Sequence, residues 1–359
     1  MRKILTAWIA IMGFAAQAHA AGGVRIYGLL DEGFTTVSNV RGAQVRELQD
    51  GVNHANQLGV LGSEEIGGGD QVIFKLENGP MLNTGGLRGN LLFGNQSWVG
   101  LRDAHGDQIT AGRQYDFMTL MEGYLPCLQC GLYVVQNADF DRLSGERINE
   151  SVQAISGNLG GWRLGVMYGF PQTGTPTTVS NFGRAYSAVA QYRNGGFSAA
   201  VATTDINGAL TYAPLLGAKQ VLGVAMAGLP GLVVNNQDIW ALGGQYRIEH
   251  WTATALYTRT RLTLGALSSL DQTWRLGGAY TFAPRWSAMA QLSLDRFEGS
   301  QWRTLNLGLQ HPLSKRVSMY LDLATQRATG AGSVASIPLT GLSSSSAQSL
   351  ARVGMLYSF

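Results

Sequence analysis

Apolar and polar side chains alternate with a period of two along most of the chain, the period of a β-strand whose two faces meet different surroundings. Trp162, Leu164, Val166, Tyr168 and Phe170 share one face, with Arg163, Gly165, Met167 and Gly169 on the other. Trp286, Ala288, Ala290, Leu292 and Leu294 alternate with Ser287, Met289, Gln291, Ser293 and Asp295. Val317, Met319, Leu321 and Leu323 alternate with Ser318, Tyr320, Asp322 and Ala324. The last run sets Val353, Met355, Tyr357 and Phe359 against Gly354, Leu356 and Ser358, and ends on the final residue. A strand of this kind needs pairing on both edges. Its expected partner is the strand beginning near Val24, with the two joined as the seam of a closed barrel.

Where the alternation breaks, the connections alternate in length. Short turns such as Gly67-Gly68-Gly69-Asp70, Asn194-Gly195-Gly196 and Ala283-Pro284-Arg285 interleave with long polar stretches at 38–56, 171–183 and 329–347. Outer-membrane barrels have this asymmetry, and aromatic girdles at both interfaces; Tyr168, Phe170, Trp251, Tyr257, Trp274 and Tyr280 sit near strand ends as girdles require. At about 9–11 residues per crossing, the chain predicts about 16 strands, give or take two. No segment forms a membrane-spanning helix. The apolar run from residue 4 to about 14 falls short of the roughly 18–20 residues a helix needs. It follows Arg2 and Lys3 and precedes Gln17-Ala18-His19-Ala20, which predicts a signal peptide at 1–20 cleaved after Ala20. Residues 21–359 then form one domain. Only helices and closed barrels satisfy every backbone group in lipid, so the expected fold class is all-β, a transmembrane antiparallel β-barrel.

Composition narrows the function. Glycine is abundant at 48 of 359 residues, proline is scarce at 9, and charged residues make up 14%, whereas disorder wants more charge and fewer aromatics. The formal charge of +3 drops to about +1 without Arg2 and Lys3, so net charge gives no case for nucleic-acid binding. His54, His105, His250 and His311 are scattered without metal-ligand spacing. Gly67-Gly68-Gly69 precedes no helix that could hold a phosphate, and Asp31 and Glu32, as strand neighbours, face opposite ways. Neither a catalytic set nor a cofactor site is expected, and 343–346 reads as a solvated outer loop.

The longest connection without alternation, about 115–146, is the expected constriction loop, since connections of this length are usually functional or disordered. It carries Asp116, Glu122, Asp139, Asp141, Glu146 and Arg142, with Arg113 and Arg147 at its margins. Arg147 shares parity with Asn149, Ser151 and Gln153 and is expected to face the lumen. The same parity places Asp31, Gln57, Gln96, Arg163 and Arg275 on the inner wall. Arg113 falls with Ile109 and Ala111, so only a bulge or a strand end turns it inward. Cys127 and Cys130 are the only cysteines, and in an oxidising compartment a disulfide between them is expected to staple the loop. Redox use of this spacing belongs next to a strand–helix unit that is absent here.

Several stretches, in order, resemble the general porins of Gram-negative bacteria, particularly those of beta-proteobacteria. Val24-Arg25-Ile26-Tyr27-Gly28-Leu29-Leu30-Asp31 resembles that family's first strand. Gln57-Leu58-Gly59-Val60-Leu61-Gly62-Ser63-Glu64-Glu65-Ile66-Gly67-Gly68-Gly69 resembles its second strand and turn. Residues 93–101 and Ala111-Gly112-Arg113-Gln114-Tyr115 are similar to the strands entering its constriction loop, and Arg147-Ile148-Asn149-Glu150-Ser151-Val152 to the strand leaving it. Leu313-Ser314-Lys315-Arg316 with Met319-Tyr320, and the terminal Phe359, resemble later family features. The resemblance implies a homotrimer in outer-membrane lipids that passes small hydrophilic solutes and ions without chemistry. It also implies an inward-folded loop whose opposed acids and arginines set up a transverse field, and it is what places Arg113 in the lumen. The same charges could instead pair to pin the loop. Family members often carry a base at the positions of Gln57 and Gln96, so any anion preference is expected to be weak. The competing reading is a surface adhesin or receptor barrel displaying its long loops; a rim-site enzyme lacks the residues it needs.

Overall fold

A β-sheet leaves a row of unpaired N–H and C=O groups at each edge unless it closes on itself, and this one closes. The structure, a computed structural model, describes residues 22–125, 128–172, 179–330 and 332–359; the expected leader at 1–20 lies outside them. The wall begins with β1 (Gly23–Val40), β2 (Ala43–Asp50), β3 (Gln57–Gly67), β4 (Asp70–Asn78), β5 (Gln96–Arg102) and β6 (Gln108–Tyr115). It continues through β7 (Arg147–Ile155), β8 (Trp162–Gly169), β9 (Arg184–Asn194) and β10 (Phe197–Thr211). A two-residue ribbon, β11 (Gln220–Val221) and β12 (Val224–Ala225), lies in the next loop. The wall is completed by β13 (Leu232–Ile248), β14 (Trp251–Leu264), β15 (Leu267–Ala283), β16 (Trp286–Phe297), β17 (Ser300–Pro312), β18 (Val317–Thr329) and β19 (Ala347–Ser358).

Each wall strand pairs antiparallel with its neighbour, and β19 returns to β1. β1 is long enough for two partners end to end: its first half pairs with β3 and its second with β2. With β2 and β3 counted as one stave, the barrel has 16, as expected. The seam runs from Leu29 opposite Ser358 to Val37 opposite Leu350. Phe359 extends it, exchanging backbone bonds of 3.0 and 3.1 Å with Gly28.

The expectation of an irregular loop over 38–56 is corrected. β1 and β2 continue as a hairpin through a turn at Arg41 and Gly42, where φ is +53° and +99°. Only 51–56 is irregular, and it tucks inward. Hydrophobic alternation could not show this hairpin, because both of its faces mix apolar and polar residues, with Phe34 opposite Leu48 on one and Val37 opposite Val45 on the other.

Side chains partition by parity. On β19, Val353 and Met355 are 48% and 50% exposed on the outer face, whereas Arg352, of the opposite parity, is 0% exposed, and Leu350 beside it on the inner face is buried. Outer aromatics form two girdles. Trp251 stacks on Tyr280 at 4.1 Å near the short-turn end, and Tyr257 meets Trp274 at 5.1 Å toward the long-loop end. Residues 251 to 257 put about 20 Å of strand between the two pairs.

Inside the seam, Arg352 donates to Gly33 O (3.1 Å), Thr35 Oγ1 (3.0 Å), Gln49 O (2.9 Å) and Tyr320 Oη (2.9 Å), and pairs with Asp31 Oδ2 at 3.3 Å. Asp31 also accepts from Asn53 N (2.7 Å) and from the Tyr320 hydroxyl. Removing one partner of a buried pair leaves the other charge uncompensated, at about 3–5 kcal/mol. Arg352→Ala is therefore expected to lower the urea midpoint of the folded barrel sharply, and Asp31→Asn combined with Arg352→Gln to lower it less. Equal losses from the single and the double change contradict the clasp.

Candidate functional site

β6 ends at Tyr115 and β7 begins at Arg147, and the described residues between them, 116–125 and 128–146, leave the wall on its inner side. The first turn is set by Asp116. Its Oδ1 caps Met118 N at 3.0 Å and its Oδ2 takes the Arg142 Nε at 2.5 Å, tying the start of the loop to its end. The 3-10 helix Phe117–Tyr124 follows, with Phe117, Met118, Met121 and Tyr124 buried against the wall. Each such side chain is worth about 1.5–3 kcal/mol. Two wall glycines make room for it. A Cβ on Gly165 would lie 2.4 Å from the Phe117 ring, and one on Gly243 would lie 2.6 Å from the Tyr124 ring. The Tyr124 hydroxyl also meets Ser198 Oγ and Gln191 Nε2, both at 3.0 Å.

The far part of the loop is anchored to the wall of β13–β16. Arg275 of β15 donates Nη2 to Asp141 Oδ2 (2.8 Å) and Nε to Val134 O (3.3 Å). Gln291 donates to the same carbonyl at 3.0 Å, and Thr258 Oγ1 to Asp141 Oδ2 at 2.8 Å. Phe140 O accepts from Gln237 Nε2 (2.7 Å) and Thr260 Oγ1 (3.1 Å). Leu132 N reaches Val52 O at 2.8 Å on the inward 51–56 segment. The loop thus spans the lumen, from the β6–β7 wall to the β13–β16 wall. Beyond it, Asn137 Nδ2 bonds Leu215 O and Leu216 O at 2.8 and 2.6 Å, and Trp302 Nε1 bonds Val334 O at 2.9 Å. The connections at 212–231 and 332–346 are thereby drawn inward as well.

The expected charges divide into two sets. Asp116, Asp141 and Arg142 are buried and spend their charge on clamping the loop, as does Arg275 of the wall; Asp31 points inward but is closed off by Arg352 and Asn53. Glu122, Asp139, Glu146, Arg113 and Arg147 remain partly accessible. Arg147 donates Nη2 to Asn95 Oδ1 and to the Tyr115 hydroxyl, both at 2.8 Å, and its guanidinium lies 4.7 Å over the Tyr115 ring. Arg113 donates Nε to Gly94 O at 2.8 Å and Nη1 to Asn149 Oδ1. The β6–β7 register shifts between Gly112 and Gln114, with Glu150 at φ +47°. The bulge lies on β7, where Asn149 and Glu150 oppose Arg113 alone, and the Arg113 guanidinium reaches Asn149 there, in the company of Arg147, Glu146 and Tyr115.

Arg88, in the connection between β4 and β5, joins these bases; burial and then repulsion from Arg147 lower its pKa, against Tyr115, Asp50 and Glu146. On the loop, burial pushes Glu122 up to about 8, with Arg147 pulling the other way. Asp139, bonded to Ser144 N (3.0 Å) and Oγ (2.6 Å), is held well above the usual carboxylate range by burial, by Glu146 and by Asp141. Wall bases and loop acids therefore share one space.

The remaining candidates stand apart from that space. Gln57 faces inward opposite Leu29, and Gln96 Oε1 accepts from Trp98 Nε1 at 3.0 Å. Arg163 donates Nε to Ser156 O at 3.3 Å, near the short-turn end. The expected Cys127–Cys130 bridge lies outside the described residues. Parity along β19 could have found Arg352. Nothing in the sequence marks Arg88, which lies outside any strand. Among the described residues, no group of three His, Cys, Asp or Glu could hold a metal ion.

A Gram-negative porin family model matches residues 7–331. Outer membrane porin protein 32 of Delftia acidovorans is 26% identical over 345 residues, covering 90% of this chain and 89% of that protein. An outer membrane porin protein of Bordetella pertussis is 24% identical over 284 residues, 72% and 70% of the two chains. The fold is similar to that of an anion-selective porin from Comamonas acidovorans, with a TM-score of 0.78 and 21% identity over 94% of this chain and 100% of that one. It is also similar to the trimer form of OmpT, an outer membrane protein of Vibrio cholerae, with a TM-score of 0.66 and 12% identity over 95% and 100%.

If Arg275 holds the loop, Arg275→Gln leaves Asp141 buried without its cation and frees 116–146. Ionic current through single molecules in planar bilayers is then expected to become noisier, and Asp141→Asn added to Arg275→Gln to quieten it again. Wild-type noise in Arg275→Gln contradicts the anchoring role.

Proposed function

Since this chain belongs to the Gram-negative porin family, we propose that it forms a water-filled channel for passive diffusion of small hydrophilic solutes and ions. It is an integral outer-membrane β-barrel, and its family is one of channels, not enzymes. The observation that carries the proposal is the loop at 116–146, held across the lumen by Asp141 and Arg275 with Glu122 near Arg147. Solutes pass between Arg88, Arg113 and Arg147 on one side and Glu122, Asp139 and Glu146 on the other. Opposed fixed charges of this kind orient polar solutes and discriminate ions.

The discrimination is weak and favours anions. An ion about 4 Å from one guanidinium in bulk-like water gains only about 1 kcal/mol, and the loop acids offset part of that. Glu122, raised by burial to about 8, is largely protonated at neutral pH, and burial shifts Asp139 in the same direction, which leaves the bases in excess. Gln57 and Gln96 add no charge to the wall. The similar Comamonas barrel is that of an anion-selective porin, which agrees with the sign, and the trimer form of the Vibrio protein supports a homotrimer here. An adhesin reading is disfavoured by the inward packing of the connections at 212–231 and 332–346. In the oxidising exterior, Cys127 and Cys130 form a disulfide that stiffens the loop tip.

In planar bilayers the protein is expected to insert as conducting units in triplet steps; insertion without conductance contradicts the channel. A carboxyl titrating near 8 is neutral below that pH and negative above it. Raising the pH from about 6 to about 9 is therefore expected to weaken the anion preference, read as the zero-current potential in a salt gradient, and Glu122→Gln to remove most of that change. A pH-independent wild-type potential, or a change of opposite sign, contradicts the role of Glu122. Reduction with dithiothreitol is expected to raise current noise, and unchanged noise contradicts the staple.

A further inference from the structure

Two aromatic side chains stand on the inner wall below the constriction, where a water-filled lumen calls for polar ones. Tyr27 of β1 and Trp98 of β5 face inward by parity, since Val24 and Ile26 on β1 and Val99 and Leu101 on β5 are exposed on the outer face. Tyr27, Gly59, Glu77 and Gln96 lie side by side across β1, β3, β4 and β5. In the next row toward the short turns, Lys75 is opposite Trp98, and Trp98 is opposite Gly112. Gly112 is three residues from Tyr115, so Trp98 sits about 10 Å below the point where the loop leaves the wall.

The patch is fixed by its own polar groups. The Tyr27 ring lies across Gly59, where a Cβ would come within 2.4 Å of it, and its hydroxyl donates to Glu77 Oε2. Lys75 Nζ pairs with the same oxygen at 3.0 Å and lies 5.6 Å from the centre of the Tyr27 ring. Trp98 Nε1 donates to Gln96 Oε1 at 3.0 Å, which steadies the indole and turns the Gln96 amide nitrogen away from it. Glu77 Oε1 is buried and finds no donor among the described residues. A buried acceptor of this kind calls for a hydroxyl, of water or of a solute.

Small-molecule sites combine aromatic surface with a few placed polar groups, and this combination suits a sugar. A pyranose ring has an apolar C–H face and a rim of hydroxyls, each both donor and acceptor. Trp98 is a flat apolar platform, and Gly100 and Gly112 beside it on the inner face carry no side chains to cover it. Gln96 and Lys75 supply donors, and Glu77 supplies the acceptor. The charges of Lys75 and Glu77 cancel, so the patch has no net attraction for an anion, and a carboxylate arriving at Lys75 is repelled by Glu77. We propose that Trp98, Gln96, Lys75 and Glu77 form a weak binding site for neutral sugars on the short-turn side of the constriction. The site names a solute class for the channel and rests on the channel reading for access to the lumen.

The test is ionic current through the protein in planar bilayers, titrated with maltotriose and, at equal mass concentration, with sorbitol, an open-chain polyol that has no ring to stack. Each protein's sugar-free current is its own reference, which separates a change in pore size from a change in binding. In the wild type, maltotriose is expected to lower the current saturably and sorbitol only in proportion to its concentration. Trp98→Leu is expected to raise the half-saturating maltotriose concentration about tenfold, whereas Trp98→Phe keeps most of the affinity. Gln96→Leu, which leaves the indole in place, is expected to raise it about fivefold. Current without saturable reduction by maltotriose overturns the sugar site alone. So does wild-type half-saturation in both Trp98→Leu and Gln96→Leu, and so does saturable reduction by benzoate but not by maltotriose, which would make the patch a site for aromatic acids. Insertion without any current overturns the channel reading and the site with it.

Discussion

Every backbone N–H and C=O in the wall has to find a partner inside the sheet, because lipid offers none. That requirement forces β19 back onto β1, and most other features descend from it. Closure gives each strand an inside and an outside, so one-residue alternation decides which side chains meet lipid and which meet the lumen. It also creates a seam where the two ends of the chain must register. There Arg352 bonds to β1, the end of β2 and Tyr320 of β18 while neutralising Asp31. Buried charge is costly unless paired, so this clasp holds only when the seam is in register.

The loop at 116–146 turns a wide barrel into a narrow passage by the same logic. A connection this long cannot stay inside a barrel through apolar burial alone, because it must also satisfy its own carbonyls and carboxylates. Phe117 and Tyr124 lie on wall glycines, whereas Asp116 and Asp141 are matched by Arg142 and Arg275. Clamping and selectivity are thus carried by different members of one charged set. The fully buried members fix geometry, and the partly accessible ones, Arg113, Arg147 and Glu122 among them, are left to act on what passes.

Much of this was legible in the sequence. Alternation located the strands around Trp162, Trp286 and Val317, the uneven connections gave the barrel its polarity, and the run ending at Phe359 pointed to the seam. Parity also set Asp31 and Arg275 facing inward, whereas the β7 bulge at Asn149 and Glu150 breaks the parity that joined Arg147 to Ser151 and Gln153. What it could not show was burial, because whether an inward arginine meets water depends on a loop folded from far along the chain. Arg275 and Arg147 look alike in sequence, yet only one is sealed against Asp141. Arg113 was ambiguous because a bulge is a local departure from the period on which the reading rests. The β1–β2 hairpin was missed because beyond the membrane nothing distinguishes its faces, and Arg88 because it follows no strand period at all.

The division of labour among these charges is tested most directly by the zero-current potential of the channel in a salt gradient at neutral pH, before and after Arg88, Arg113 and Arg147 are all replaced by serine. The clamps Asp116–Arg142 and Asp141–Arg275 are untouched by these changes, so the passage should keep its shape and lose only its bases. The expected result is a modest anion preference in the wild type that turns into a cation preference in the triple variant. A triple variant that keeps the wild-type anion preference would contradict the assignment of these three arginines to the constriction.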